Sequence, residues 1–335
     1  DMETVVYKFP SIKKQLAEKS IGVTYDYEKP AKLIKYGFNH AADELNIVEL
    51  TSDSHYRAGL NYDFETINNK DFFPTLTHAE FWEILLSFEL LSSDQTIKTS
   101  HPEILEDIIE RYGKLVKKLT KVTINKSKKN NNLVIYKYSD VEIDESVSAQ
   151  LILKDLSDIV LAQSTGSNMA IQLASLHTEV MIDLVYYLST QYEMLYLFRP
   201  NITSNLSCSS YLICTNLLKV INLPEIEQSS DKFVIKLLDR SVKIPPEFTT
   251  CIQCFNSEII PQKIVTFNKI KTYLDSKVYE GATYQEMIVR QNENIKEWID
   301  KYISNIKDIP KSLSKGLDRT SQKCDYIGKL NSLFN

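Results

Sequence analysis

The stretch Gly166-Ser-Asn-Met-Ala-Ile-Gln-Leu173, followed by Thr178 to Ser189, Met194-Leu-Tyr-Leu-Phe198 and Ser210-Tyr-Leu-Ile-Cys-Thr215, decides the fold. Met169 to Leu173 is a short apolar run with the length of a buried strand. Thr178 to Ser189 carries Val180, Met181, Leu184, Val185 and Leu188 at helical spacing. Met194 to Phe198 is a second strand, Arg199 to Ser207 a polar loop, and Ser210 to Thr215 a third strand. Short apolar strands separated by a helix predict a mostly parallel sheet covered on both faces. The last two strands have only a loop between them, which predicts an antiparallel pair at one edge.

The same alternation continues upstream. A helix is expected from about Ser146 to Gln163, with Gly166 as its C-cap. Before it come a strand over Leu133–Tyr138, a helix over Glu103–Leu119 opened by Pro102, and a strand over Gln95–Ser100. A helix beginning near Thr77 carries Phe81, Ile84, Leu85, Phe88 and Leu91 on a broad apolar face. Residues 1–60 are weakly periodic, with short helices expected at Ser11–Lys19 and Ala31–Tyr36, and 51–75 read as irregular. From about 258 the chain reads as helical. Tyr284, Ile288, Ile295, Trp298, Ile299 and Tyr302 form a stripe broad enough to suggest a protein–protein interface, and Pro310 and Gly316 are expected to interrupt the pattern. The division predicted is an N-terminal extension over 1–76, an α/β domain over 77–235 and a mainly helical region over 236–335.

Composition narrows the function. With 43% hydrophobic and 25% charged residues, the 335-residue chain can bury a real core, which excludes disordered and disulfide-stapled classes. A net charge of −5 means that any nucleic-acid contact must come from a local patch. That patch is Lys114 to Lys129, which holds seven lysines and no acid; Lys117, Lys118, Lys121, Lys126, Lys128 and Lys129 are candidate phosphate contacts, against the alternative of a solvated helix end and loop. Eight glycines are about 2.4% of the chain, against a usual value of about 7%, too few for a fold built on glycine-rich cofactor loops. Cysteines stand at 208, 214, 251, 254 and 324. Cys251-Ile-Gln-Cys254 lacks a second pair or a His pair at zinc-ligand spacing, so no metal site is expected. An odd cysteine count, no signal-peptide pattern at Asp1-Met2-Glu3 and no long apolar run predict an intracellular protein without a membrane segment.

Gly166 to Gln172, Tyr196-Leu-Phe-Arg199-Pro200 and Ser204-Asn-Leu-Ser-Cys-Ser-Ser-Tyr211-Leu-Ile-Cys214 together resemble the C-terminal half of FtsJ-type (RrmJ-like) RNA 2′-O-methyltransferases, closest to the cap methyltransferases of large DNA viruses. The detailed match spans about 50 residues, and weaker matches reach back to about residue 78. The resemblance implies an α/β, Rossmann-like methyltransferase sheet, S-adenosylmethionine as methyl donor and a Lys-Asp-Lys-Glu tetrad. It would place the tetrad aspartate at Asp140, the central lysine at Gln172 and the glutamate at Ser209; Lys32 and Lys35 both remain candidates for the first lysine. The cofactor's glycine turn would fall on His101-Pro102-Glu103, and no glycine lies between 59 and 113. Gln172 and Ser209 cannot titrate near neutral pH, so the motif positions no longer carry the family's chemistry.

The expectation is therefore a truncated or degenerate methyltransferase sheet with no cofactor and no metal. It would act as a structural or stimulatory subunit of a viral mRNA capping or transcription assembly, in the host cytoplasm or the virion. Its partner would be another protein subunit, with RNA held through the lysine tract. An active S-adenosylmethionine-dependent cap 2′-O-methyltransferase and a virion scaffold are the alternatives.

Overall fold

The computed structural model describes residues 2–11, 16–30, 73–139, 145–173, 176–203, 210–227, 229, 231–276 and 282–334. Its centre is a seven-stranded sheet. The strands are β1 (Val5–Lys8), β3 (Thr96–Thr99), β4 (Thr123–Ile124), β5 (Asn131–Tyr136), β6 (Gln163–Leu173), β7 (Tyr192–Arg199) and β8 (Ser210–Leu217), in the spatial order β1-β7-β8-β6-β5-β3-β4. Pairing is parallel from β4 through β3 and β5 to β6, and antiparallel from β6 through β8 and β7 to β1. Only β8 and β1 therefore run against the rest, which makes the sheet the expected mostly parallel, Rossmann-like one. β2 (Ile21–Asp26) and β9 (Phe233–Leu238) form a separate antiparallel ribbon.

Every central strand is buried on both sides, and its residues alternate between two cores. Leu133 and Ile135 face one, and Val134 the other. Ile213 and Tyr211 face the first, and Leu212 and Cys214 the second. This period of two, with no polar face, explains why the strands read as continuous apolar runs. The first core is covered by α1 (Leu76–Ser87), α2 (Pro102–Leu115) and the end of α6 (Ala282–Ile299). The second is covered by α3 (Glu145–Leu161), α4 (Glu179–Ser189) and α5 (Pro246–Ser276), with the ribbon behind α4. Buried Asp183 on α4 accepts from the backbone N–H groups of Leu237 and Leu238 at 3.0 and 3.1 Å and so fastens the ribbon. The last helix, α7 (Ile309–Phe334), lies along β1, where Thr320 Oγ1 donates to Val6 O at 2.7 Å.

Several expectations need correction. The antiparallel pair is present, but β8 sits inside the sheet between β6 and β7, and β1 takes the outer position. Gly166 is no helix cap: α3 ends at Leu161, and Gly166 (φ 87°) lies in a bulge of β6, where Asn131 faces Gln163 but Leu133 faces Asn168. α2 ends at Leu115, four residues short of Leu119. Pro310 and Gly316 do not break the C-terminal helix. Pro310 stands in the first turn of α7, where its missing N–H costs nothing. At Gly316 a Cβ would lie 2.7 Å from Thr4 O, so glycine is what lets the helix approach the first strand. Part of Ser11–Lys19, all of Ala31–Tyr36 and most of 51–75 lie outside the described residues.

The proposed interface stripe is largely core. Trp298 and Tyr302 are 1% and 0% exposed, and Ile295 is also buried. Trp298 packs edge-on against Phe73 and tilted against Tyr302, while Trp82 Nε1 donates to Tyr302 O at 2.9 Å. The stripe is wide because α6 and the π-turn after it (Asp300–Ser304) cover the sheet of their own chain. The side chains of Tyr284 and Ile288 lie outside the described residues. Trp298→Ala is expected to cost about 3–5 kcal/mol of folding stability. Urea denaturation reads this, and an unchanged midpoint would return the side chain to the surface.

Candidate functional site

The carboxyl ends of β3, β5, β6 and β7 gather at one end of the sheet. The start of β8 joins them, because Gln172 pairs with Tyr211 and Leu173 with Ser210. Crevices at such strand ends are where open α/β sheets hold ligands. α1 also starts here, and its N-terminal half is polar where the helix meets the strands. Thr75 caps it, accepting from the backbone N–H of His78 at 3.3 Å.

The main feature of this end is a buried ion pair. Lys137, next after β5, places Nζ 3.1 Å from Glu80 Oε2 of α1, and both side chains are 2% exposed. Tyr211 OH donates to the same carboxylate at 2.6 Å, Thr203 Oγ1 to its other oxygen at 3.2 Å, and Lys137 Nζ also reaches Thr77 Oγ1 at 3.1 Å. Lys137 follows Leu133 and Ile135 on the same face of β5, so the alternation that buries them buries the lysine too. One turn on, Glu83 accepts from the backbone N–H groups of Asn201 and Ile202 at 2.8 and 3.0 Å. Burial pushes Glu83 up to about 7, with those hydrogen bonds opposing the shift. The Asn201 side chain is held in turn by Tyr302 OH at 2.6 Å and Lys301 Nζ at 3.2 Å. α1 is thus bolted to β5, to β8 and to the loop after β7.

Gln172 occupies the central-lysine position of the resemblance, and its amide is committed. Oε1 accepts from the N–H groups of Tyr138 and Ser139 at 2.8 and 3.0 Å, and Nε2 donates to Ser139 O at 2.9 Å. The β5–β6 ladder ends at Tyr136 opposite Ile171. The Gln172 side chain continues it for two more residues. Lysine has donors and no acceptor, so it cannot make the two accepted bonds.

The expected cofactor turn also has a packing role. His101 precedes α2, Pro102 opens it and Glu103 supplies a first-turn acid. The His101 ring stands edge-on to Phe81 with centroids 5.8 Å apart, and its Nδ1 is 2.7 Å from Ser100 Oγ, which accepts from Lys137 N at 2.9 Å. Asp140 and Ser209 lie outside the described residues, as do Lys32 and Lys35. Among the described residues no cluster of three or more His, Cys, Asp or Glu is placed to hold a metal ion.

The lysine tract lies elsewhere. Lys117, Lys118, Lys121, Lys126, Lys128 and Lys129 are all exposed around β4, the outer strand at the far edge. Among the described residues, Lys121 makes an exposed 3.6 Å contact with Asp94. An edge strand ringed by lysines is also a defence against pairing with another chain.

Glu80, Glu83, Lys137 and Asn201 escape sequence reasoning because the partners of their side chains are 57 or more residues away along the chain. The readable signal was weaker: two acids three residues apart inside an apolar helix, and a lysine in phase with buried strand residues.

No protein-family model matches the chain. An uncharacterized protein of Acanthamoeba polyphaga mimivirus is 38% identical over 329 residues, covering 93% of each chain. Among solved structures, a Plasmodium falciparum protein described as a ribosomal RNA methyltransferase aligns over 44% of this chain and 99% of its own, at 13% identity and a TM-score of 0.33. At that score nothing passes from it to this chain.

Lys137→Met is expected to destabilise the fold by about 3–5 kcal/mol, because it leaves the Glu80 carboxylate buried and unpaired. The double variant Lys137→Met, Glu80→Leu should recover more than half of that loss. Equilibrium urea unfolding of the single and double variants checks both points; additive losses would show that the two groups do not act as a pair.

Proposed function

This chain belongs to one family with the uncharacterized mimivirus protein, and we propose that it is a non-catalytic, methyltransferase-like subunit of a viral mRNA capping or transcription assembly. The observation that carries this reading is Gln172. At the strand end where a methyltransferase would need a titrating lysine, this chain has an amide whose oxygen and nitrogen are spent on the backbone of Tyr138 and Ser139. Two further features support it. The buried charges Glu80 and Lys137 pair with each other, and the resemblance assigns His101-Pro102 to the position of its glycine turn, where side chains take up the room a cofactor would need. A viral relative fits a role in the host cytoplasm or the virion, and no described helix is long and apolar enough to cross a membrane.

The test is cofactor binding and methyl transfer with the full chain. We expect no thermal shift with S-adenosylmethionine or its demethylated product, and no 2′-O-methylation of capped RNA. Binding at a hundredfold excess over Kd would stabilise the fold by about 2.7 kcal/mol, a shift of several degrees. Such a shift, or methylated product, would establish an active enzyme with divergent residues. Gln172→Lys should remain inert and fold less stably. Capture of capping or polymerase subunits supports the subunit reading, and capture of virion shell proteins alone would replace it with a scaffold role.

In the same reading RNA affinity comes from the lysines around β4. Changing Lys117, Lys118, Lys121, Lys126, Lys128 and Lys129 to Gln should weaken RNA binding. The log–log salt slope should fall by roughly 0.7–0.9 for each phosphate that is no longer neutralised. Unchanged affinity in filter binding would leave these lysines as edge protection only.

A further inference from the structure

A cleft of about 630 Å³ opens beside the start of β1, between the end of α6 and the first turns of α7. Ligand sites commonly measure about 300–1,000 Å³. The chain before β1 forms its floor. Lys301 Nζ donates to Met2 O at 2.9 Å, to Thr4 Oγ1 at 2.8 Å and to Asn201 Oδ1 at 3.2 Å. A lysine has three donors, so this one is fully committed to holding the floor. The walls carry opposite charge. Lys311, Lys315 and Arg319 line one wall, at intervals of four along one face of α7. Glu297, near the end of α6, and Asp300, at the start of the π-turn, line the other. Asp308 adds a third acid from the turn that joins the two. Glu297, Asp300, Lys311 and Lys315 are exposed, and among the described residues the ion pair between lining side chains is that of Arg319 Nε with Glu3, at 3.8 Å. The acids are not gathered as metal ligands are, since no described cluster of three can hold an ion.

We propose that this cleft is a docking site for an extended segment of a partner protein in which acidic and basic side chains alternate. Unpaired charges of opposite sign on two facing walls call for an occupant that carries both signs, sorted to opposite sides. An extended chain sorts them by itself, because successive side chains point to opposite faces. Its acids meet Lys311, Lys315 and Arg319, and the bases between them meet Glu297 and Asp300. The spacing agrees. Residues four apart on a helix rise by about 6 Å, and alternate residues of a strand by about 6.6–6.8 Å. From Lys311 to Arg319 the helix rises about 12 Å, room for about four residues of extended chain. Nucleic acid offers negative charge alone, and it would bring phosphate against Glu297, Asp300 and Asp308. The site stands apart from the subunit reading, since a segment can dock here whether or not the chain binds S-adenosylmethionine.

The experiment uses the full chain and four labelled eight-residue peptides, read by fluorescence anisotropy: alternating Glu and Lys, the same residues in two blocks, all Glu, and all Lys. The alternating peptide should bind tightest, and added salt should weaken it because the pairs are exposed. Lys311→Glu with Lys315→Glu should weaken its binding about tenfold, at a few-fold for each exposed pair, and Glu297→Lys with Asp300→Lys by a similar factor. Combining all four substitutions exchanges the walls, and a strand can turn over to match them, so the quadruple variant should regain affinity. The four side chains are exposed, so every variant should melt with the wild type; if one does not, the wild-type ranking of the four peptides decides by itself. Equal binding of the alternating and block peptides, tightest binding of all-Glu, indifference to the substitutions or a folded quadruple variant that stays weak would each overturn the assignment. Binding of oligouridylate that is lost in the Lys311→Glu, Lys315→Glu variant would assign the basic wall to nucleic acid instead. None of these failures bears on the expected absence of methyl transfer, which is read in a separate assay.

Discussion

The buried pair between Glu80 and Lys137 constrains everything around it. α1 is buried from Thr77 to Ser87 on all sides, so hydrophobic burial alone does not choose its rotation about its own axis. Two carboxylates three residues apart do choose it. Each must leave water with its partners already in place, or the desolvation cost is not recovered. Glu80 therefore demands Lys137 from β5, Tyr211 from β8 and Thr203 from the loop after β7. Glu83 demands the backbone of Asn201 and Ile202. A helix with little directional preference of its own becomes keyed to three separate parts of the sheet. Buried polar networks rigidify and specify an arrangement when every member is satisfied.

The same economy shapes the strand ends. Here Ser100, Gln172 and Glu80 spend their polar atoms on neighbouring backbone and side chains. The sheet gains two residues of extra ladder beyond Tyr136 from a glutamine side chain. Among the described residues these strand ends act as a fastening.

Much of the fold was readable from local pattern. Strands buried on both faces announce themselves as apolar runs, and β5, β7 and β8 fall where Leu133, Met194 and Ser210 place them. Helix α4 follows from Val180, Met181, Leu184, Val185 and Leu188. The errors share a physical cause. Gly166 and Gly316 are both glycines whose meaning depends on a distant segment: one sits in a bulge against β5 and the other under the backbone of Thr4. Glycine records that a Cβ is unwelcome, and does not say what excludes it. The spatial order of strands is likewise a matter of long-range pairing, so the insertion of β8 and the arrival of β1 left no local mark. The aromatic stripe ending at Tyr302 was visible as a stripe, but periodicity cannot distinguish a face turned to its own sheet from one turned to another protein. The resemblance singled out Gln172 and His101, and the fold puts the Gln172 amide on the backbone of Tyr138 and Ser139 and the His101 ring against Phe81. Glu80 and Lys137 were not singled out, since each depends on partners far along the chain.

β1 is completed by segments that lie much later in the chain. Val5 pairs with Arg199, and the helix that covers β1 begins only at Ile309. At a synthesis rate of about 5–20 residues per second, β1 waits roughly ten to forty seconds for β7 and still longer for α7. Throughout that interval its Val6 and Tyr7, which end fully buried, have no native surface to meet. During synthesis β1 thus stays available to any protein that can shield an extended apolar strand. The helix that ends this dependence is α7, more than 300 residues further along the chain.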